Sequence, residues 1–168
     1  MAILPIIQYP DPILKKTSEP IAQEFPALPL VIGDLRETLK SHPFCVGIAA
    51  VQIGSLLRIV IVDCSRSRKS CKNHGELVLI NPVITQMHGE QVMREGCLSL
   101  PDYTGNVQRY QEVTVEALDS EEIPQKIIAE GFEAVVLQHE LDHLDGILFL
   151  DRITSLKTDV FRRKNYTR

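Results

Sequence analysis

The chain has 168 residues and a formal net charge of −4, with 44% hydrophobic and 24% charged residues. This length is typical of one domain with its own buried core, so we expect residues 1–168 to form a single domain. The balanced composition excludes a disordered chain, and the acidic net charge argues against a general binder of nucleic acid or anionic membranes.

The first 25 residues are predicted to form an extended arm, because their four prolines allow only short turns. This arm lacks the basic segment and the cleavage site of a secretory signal, and no apolar run in the chain reaches the ~18 residues that span a bilayer. We therefore expect a cytoplasmic protein without membrane association. Residues 27–41 follow with apolar side chains at helical spacing, which predicts a helix that ends before Pro43.

The middle of the chain is predicted to be mostly β-structure. Residues 56–63 and 76–86 are rich in β-branched side chains and predict two strands. The basic segment 65–75 between them is predicted to be a solvated hairpin loop rather than a nucleic-acid site. Residues 107–118 alternate between apolar and polar side chains, which predicts one long strand with residues 125–130 as its partner. The small, apolar residues just before the first strand give no clear assignment.

The pattern changes after the predicted strands. Residues 132–144 have apolar side chains at helical spacing, and Gly146 can end this helix. Residues 154–164 are expected to add a short polar helix. Strands followed by helices are typical of an α+β domain with an antiparallel sheet.

The segment His139-Glu140-Leu141-Asp142-His143 has the HExxH pattern. On a helix, residues four apart share one face, so both imidazoles can bind one cation while Glu140 reaches a water on it. The alternative is a pair of surface histidines on a charged helix. This helix is otherwise strongly apolar, as in a buried segment, where imidazoles need partners that a metal would supply.

A catalytic metal site needs a third protein ligand and one open position. Metzincin proteases take that ligand from a histidine three residues after a glycine that corresponds to Gly146. In this chain Phe149 stands at that position and cannot bind a metal. A thermolysin-like ligand is absent as well, because no glutamate follows Glu140. The carboxylates that remain downstream are Asp145, Asp151 and Asp159. The third ligand is therefore expected upstream.

Two upstream segments carry a side chain that can take part in chemistry, a thiol in one and an amide in the other. The first, Glu95–Ser99, reads Glu-Gly-Cys-Leu-Ser and places Cys97 directly after a glycine. Taken alone it favours a buried thiol in a strand or turn. The second, Gly47–Gln52, consists of small residues that permit close backbone approach and ends in a side-chain amide. Taken alone it is as typical of a tightly packed core segment with a polar end.

These segments, in the order Gly47–Gln52, Glu95–Ser99 and Gln138–His143, resemble the three signatures of the peptide deformylase family. The similarity extends over essentially the whole chain, although the family often has a glycine at the position of Cys45. The resemblance implies an α+β fold with antiparallel sheets packed around a central metal-binding HExxH helix. It also implies that residues 1–168 form a single catalytic domain.

The implied activity is metal-dependent hydrolysis of the N-formyl group from the initiator methionine of nascent polypeptides, with release of formate. The implied cofactor is one Fe²⁺ per chain, for which Zn²⁺, Ni²⁺ or Co²⁺ can substitute. Its implied ligands are Cys97, His139 and His143. Glu140 would move a proton from water to the leaving amine. The Gln52 side-chain amide and the Leu98 backbone N–H would stabilise the oxyanion.

An unbranched methionine side chain needs an apolar pocket. Val135 and Val136, one helical turn before His139, offer one wall, and core packing is the alternative for each. By resemblance, the remaining pocket residues are Val46, Met93 and Phe132. A tight floor near Gly47 and Leu98 would exclude acyl groups larger than formyl. Glu95 and Arg109 are expected either to pair in support of the cysteine strand or to form an exposed pair that contributes little.

The implied partners are N-formyl-methionyl nascent peptides, with transient ribosome association, no direct DNA binding and a monomeric state. Two other functions compete with this hypothesis. A zinc endopeptidase is disfavoured by Phe149 and by the missing downstream ligand. A catalytically inactive metal-binding or interaction module is disfavoured because Glu140 and Gln52 are both present.

Overall fold

The part of the chain that the computed structural model describes, residues 1–68 and 70–163, contains eight strands and three helices. The strands are β1 (Gly47–Ala49), β2 (Ile59–Asp63), β3 (Glu76–His88), β4 (Gln91–Cys97), β5 (Leu100–Arg109), β6 (Glu112–Leu118), β7 (Pro124–Glu130) and β8 (Val160–Arg162). The helices are α1 (Leu28–Ser41), α2 (Gly131–Leu144) and the four-residue α3 (Leu156–Asp159). None of these helices is both long and apolar enough to cross a membrane.

The strands form two antiparallel sheets. A five-stranded sheet has the order β1-β2-β3-β6-β7, and a three-stranded sheet has the order β4-β5-β8. The predicted α+β class with antiparallel sheets is therefore confirmed. Because β1 and β4 lie at sheet edges, each leaves one side of its backbone free of strand partners.

Strand β2 is apolar at almost every position because both of its faces are covered. Ile59 and Ile61 belong to the core cluster that includes α1, whereas Val60 and Val62 belong to the cluster that includes α2. Successive side chains of a strand point to opposite faces, so this alternation assigns one helix to each face of the five-stranded sheet. The predicted strand 56–63 is confirmed, although it begins three residues later.

Helix α1 confirms the helix predicted over residues 27–41, and its apolar stripe is buried against the sheet. Its last turn is bound by the basic loop that follows β2. Arg66 donates from Nη2 to the carbonyl oxygen of Leu39 at 3.3 Å and from Nε to that of Cys45 at 3.0 Å. The loop 65–75 does connect two hairpin strands, but it is not merely solvated, since Arg66 caps a helix terminus.

The predicted long strand over residues 107–118 is wrong, because the chain changes sheets in its middle. Strand β5 ends at Arg109 and β6 starts at Glu112. Between them, the Tyr110 backbone is bound by the Gln138 side chain of α2, with its N–H donating to Oε1 at 3.0 Å and its carbonyl accepting from Nε2 at 2.9 Å. These bonds replace the ladder bonds of a continuous strand. Strand β7 pairs with β6, which confirms the partner predicted over residues 125–130.

The polar helix predicted over residues 154–164 is largely wrong. Only the four residues of α3 are helical, and residue 164 lies outside the described part of the chain. Residues 160–162 form β8 instead, because they pair with residues 103–105 of β5 and complete the three-stranded sheet.

Candidate metal centre

Helix α2 confirms the predicted helix over residues 132–144 and is buried along nearly its whole length. The spacing of His139 and His143 places their rings on one face, with centroids 5.0 Å apart and planes nearly perpendicular. The Nδ1 atom of His139 donates to Oε2 of Glu95 at 2.7 Å. This bond fixes the orientation of the imidazole and leaves its Nε2 free for a metal.

Cys97 reaches the two histidines from the end of β4. The β4–β5 register shifts between Gly96 and Cys97, so the chain turns sharply just after the thiol. Its Sγ lies 3.2 Å from Nε2 of His143. Potential ligand atoms of Cys97, His139 and His143 all lie within 4.8 Å of one another, and all three residues are buried. One sulfur and two imidazole nitrogens suit a divalent transition metal and leave a coordination position open.

The electrostatics of the centre favour a thiolate. Burial raises the pKa of a thiol, but the imidazoles of His143 and His139 outweigh that effect and hold the pKa of Cys97 well below its ordinary value. Cys45 behaves in the opposite way, because burial raises its pKa to about 12 and its Sγ donates to the Gly47 carbonyl at 3.1 Å. Cys97 is therefore suited to bind a metal, whereas Cys45 stays a protonated thiol.

Glu140 lies beside the centre and is also buried. Burial raises the pKa of its carboxyl group to about 7, and its Oε2 has no hydrogen-bond partner among the described residues. The carboxyl group packs directly on Gly47 of β1. A Cβ atom at Gly47 would lie 2.5 Å from Oε1 and 2.8 Å from Cδ of Glu140. The absence of a side chain at Gly47 therefore gives Glu140 its place.

Replacing Gly47 by alanine is expected to displace the Glu140 carboxyl group, because the added methyl group would lie 2.5 Å from Oε1. The measurement is a crystal structure of the variant beside that of the wild type. A Glu140 carboxyl group that keeps its position in the variant would contradict this close packing.

Gln52 also lines the cavity, in the turn that follows β1. Its Oε1 accepts from the Ala49 backbone N–H at 2.9 Å, which directs Nε2 toward Ser99 Oγ at 3.1 Å and Cys97 Sγ at 3.5 Å. The N-terminal arm forms backbone hydrogen bonds to both Gln52 and Ser99. Ile7 donates to the Gln52 carbonyl at 2.8 Å, and Tyr9 donates to the Ser99 carbonyl at 2.9 Å. The amide is thus oriented with its donor toward the centre.

A buried charge network supports His139 from behind. Arg109 donates to both carboxylate oxygens of Glu95, at 2.6 and 3.0 Å, and to Asp142 at 2.6 Å. Arg152 also donates to Asp142. Burial raises the pKa of Glu95, but the bonds from Arg109 and His139 outweigh it and lower that pKa to about 2. Of the two alternatives for Glu95 and Arg109, the supporting pair is therefore the one observed.

Replacing Arg109 by methionine is expected to lower the free energy of unfolding by about 3–5 kcal/mol, because Glu95 loses its guanidinium partner while buried. Urea denaturation of both proteins measures this change. The control is Lys126→Met, which removes a lysine whose ammonium lies 3.9 Å from Glu116 in an exposed pair. That change is expected to stay within about 1 kcal/mol. Equal losses in the two variants would contradict the structural role of Arg109.

Among the described residues, no downstream carboxylate belongs to the cluster of Cys97, His139 and His143. Asp145 binds Arg58 at 2.7 Å and Asp151 pairs with Lys15. Phe149 is buried and stacks near the His139 ring, with centroids 6.3 Å apart. Cys97 is the residue that approaches both histidines, and its role as the upstream ligand stays a prediction.

The centre lies at the base of a cavity of about 410 Å³. Most of the predicted site residues line it, namely Val46, Gly47, Gln52, Cys97, Leu98, Phe132, Val135, Val136, His139 and Glu140. His143 lies behind the lining. Met93 does not line the cavity either. It lies four residues before Cys97, about 13 Å away along β4, where it pairs with Val107.

Several residues at this site were missed by sequence reasoning. Asp142 lies within the HExxH segment, but nothing in its spacing showed that it binds Arg109. Phe44, Arg94 and Arg163 line the outer part of the cavity. Arg163 could not have been found, because its position depends on β8, which the sequence predicted to be helical.

A thiol and two imidazoles converging beside a buried carboxyl group, at the base of a partly apolar cavity, are the arrangement expected of a metallohydrolase. Comparison with known proteins narrows the class. The sequence model of the polypeptide deformylase family matches residues 3–159. The peptide deformylase of Thermodesulfovibrio yellowstonii is 44% identical over 168 residues, which cover 100% of this chain and 99% of that protein.

Solved structures agree with the sequence comparison. A peptide deformylase from Legionella pneumophila superposes with a TM-score of 0.83 at 39% identity, covering 93% of this chain and 89% of that one. A peptide deformylase from Acinetobacter baumannii with Met-Ala-Ser bound has a TM-score of 0.83 at 32% identity, covering 90% and 99%. The chain belongs to the peptide deformylase family, whose members are metal-dependent enzymes that remove the N-formyl group from nascent polypeptides.

Proposed function

We propose that Cys97, His139, His143 and Glu140 carry out this reaction on the formyl-methionyl end of nascent polypeptides, with formate as the product. The observation that carries the proposal is the convergence of three buried ligand side chains within 4.8 Å. The carboxyl group of Glu140 lies next to them in the same cavity. A relative solved with Met-Ala-Ser bound supports a substrate that begins with methionine.

The proposed ion is one Fe²⁺ per chain, with Zn²⁺, Ni²⁺ or Co²⁺ as substitutes. Its proposed ligands are the Cys97 sulfur and one ring nitrogen each of His139 and His143. Such an ion acts as a Lewis acid that lowers the pKa of water and polarises a carbonyl group. We further propose that residues 1–168 form one catalytic domain, with both sheets packed around α2 as its central metal-binding helix.

Glu140 is the proposed proton carrier. A carboxyl group whose pKa is raised to about 7 can both accept and donate a proton near neutral pH. In the proposed reaction it accepts a proton from the attacking water and delivers it to the amine nitrogen as the C–N bond breaks. Gly47 keeps the carboxyl group in position for both transfers.

Gln52 and Leu98 are the proposed donors to the oxyanion that forms on the formyl carbonyl. The Gln52 amide already directs Nε2 into the centre, because Ala49 occupies its oxygen. The Leu98 backbone N–H follows directly after the Cys97 ligand. Two prearranged donors stabilise charge that develops only in the transition state.

Replacing Gln52 by glutamate is expected to lower kcat by about 10²–10³-fold, the usual effect of losing one oxyanion donor. The carboxylate has nearly the shape of the amide but presents an acceptor where Nε2 now donates. Steady-state kinetics at equal metal content measure the effect. Ser99→Ala serves as the control, because it removes the Ser99 hydroxyl partner while the amide keeps its bond to Ala49. A Gln52 variant as active as the control would contradict the role.

The methionine side chain is proposed to lie against the apolar wall formed by Val46, Phe132, Val135 and Val136. The floor near Gly47 and Leu98 would then leave room for formyl but not for a larger acyl group. For Met93, which lies off the cavity lining, a substrate contact stays a prediction.

We propose that the chain acts in the cytoplasm as a monomer and associates only transiently with ribosomes. Formylated nascent chains become accessible at the ribosome, so a brief encounter is sufficient for hydrolysis. The net charge of −4 disfavours direct DNA binding.

The test of the proposed function compares formyl-Met-Ala-Ser with acetyl-Met-Ala-Ser, using protein loaded with Ni²⁺ or, under anaerobic conditions, with Fe²⁺. Formate release with little acetate release is expected. Equal rates on both peptides would contradict the proposal that the cavity near Gly47 and Leu98 excludes acyl groups larger than formyl. Cleavage within the peptide instead of at its N-terminus would indicate an endopeptidase.

A further inference from the structure

Two arginines lie together on one face of the three-stranded sheet, at the outer part of the active-site cavity. Arg94 extends from β4, and its guanidinium stacks 3.6 Å from the centroid of the Phe161 ring in β8. Arg163 lies two residues beyond Phe161, and its backbone N–H donates to the Asp102 carbonyl at 2.7 Å. Side chains two residues apart in a strand share a face, which places both guanidiniums on the same side of the sheet.

The position of Arg163 depends on Gly96. The Nη2 atom of Arg163 occupies the space that a Cβ on Gly96 would fill. Arg94 and Gly96 are two residues apart in β4, so their side-chain positions lie on the same face, about 7 Å apart. The Arg163 guanidinium fills the position at Gly96 and therefore lies next to Arg94 along the strand. Both arginines line the cavity and are exposed.

The two guanidiniums have no carboxylate in salt-bridge distance among the described residues. The carboxylates that line the same cavity, Glu95 and Glu140, are buried at its base, and Glu95 is already bound by Arg109. The outer cavity is therefore locally cationic in a chain whose net charge is −4. Like charges held close together without a counterion are suited to binding an anion.

We infer that Arg94 and Arg163 form a cationic rim that selects substrates with an acidic side chain in one of the two residues after methionine. The inference rests on the proposed function, because it places the formyl group at Cys97. Arg94 is three residues from Cys97 along β4, or about 10 Å. Two extended peptide residues beyond methionine span about 7 Å and reach the rim as the substrate leaves the cavity.

The test measures kcat/KM for formyl-Met-Asp-Ala-amide and formyl-Met-Ala-Asp-amide, each beside its asparagine counterpart. For at least one pair, the aspartate peptide is expected to exceed the asparagine peptide by about two- to fivefold at low ionic strength. This ratio is expected to approach one in 0.5 M KCl, where exposed charges are screened within a few Å. In the double variant Arg94→Gln, Arg163→Gln the ratio is expected to approach one without added salt.

Arg162→Glu is the matched control. Arg162 is exposed on β8 but alternates to the opposite face, so this change lowers the net charge by two, as the double variant does, without touching the rim. The control is expected to keep the aspartate preference of the wild type. Equal rates for aspartate and asparagine peptides in the wild type, or the same ratio in the double variant, overturn the rim. Failure of all four peptides to release formate overturns the proposed function itself.

Discussion

Replacing Glu140 by glutamine is expected to lower kcat/KM for formyl-Met-Ala-Ser by about 10²–10⁴-fold, the range typical of lost general acid–base catalysis. Glutamine keeps the shape of the side chain against Gly47 but can neither accept nor release the proton. Because Glu140 is not among the proposed ligands, the variant is expected to bind one metal ion per chain. The measurement is formate release together with metal analysis of the same sample.

Glu133→Gln provides the control for this loss. Glu133 is a second buried glutamate of α2, but its carboxylate accepts from the His74 backbone N–H at 2.9 Å and pairs with the His74 ring at 2.7 Å, away from the cavity. The control is expected to release formate nearly as fast as the wild type. Comparable losses in both variants would mean that the Glu140 effect arises from a general disturbance of α2 rather than from proton transfer.

Replacing Cys97 by serine is expected to remove both the metal and the activity. A serine hydroxyl stays protonated at neutral pH, whereas the imidazoles that surround Cys97 favour a thiolate. Loss of a residue that hydrogen-bonds to a metal ligand typically weakens metal binding by about 10–100-fold. Loss of a ligand itself is expected to exceed that range. Dialysis against a competing chelator followed by metal analysis measures the difference in affinity.

Cys45→Ser is the matched control for the cysteine series. Cys45 lines the same cavity, but burial raises the pKa of its thiol to about 12, so it does not provide a thiolate. This variant is expected to retain one metal ion per chain under the same chelator concentration. Retention of metal by Cys97→Ser, or its loss from Cys45→Ser, would show that assigning the thiolate ligand to Cys97 is wrong.

The metal helix was predictable from sequence because its signals are local. Apolar side chains at helical spacing over residues 132–144 predicted the helix, and the four-residue spacing of His139 and His143 placed both imidazoles on one face. The lack of a further histidine or glutamate downstream of His143 predicted an upstream ligand. The identity of Cys97 as the third candidate came from resemblance, since no local pattern links β4 to α2.

The errors have a common cause in long-range contacts. The strand predicted over residues 107–118 breaks because Gln138, in a distant helix, binds the Tyr110 backbone. Residues 160–162 are extended because β5 offers them a free edge. Local pattern carries neither contact. The close packing of Gly47 on Glu140 is equally invisible in sequence, although it decides where the Glu140 carboxyl group lies.

A metal titration of formate release tests directly whether the reaction depends on one bound ion per chain. Chelator-stripped protein receives increasing Ni²⁺, or Fe²⁺ under anaerobic conditions, and formate release from formyl-Met-Ala-Ser is measured at each level of bound metal. We expect no release without metal and a rate that rises in proportion to bound metal until one ion per chain is reached. Full activity in the stripped protein, or no formate at one bound ion per chain, would contradict the proposed metal-dependent hydrolysis.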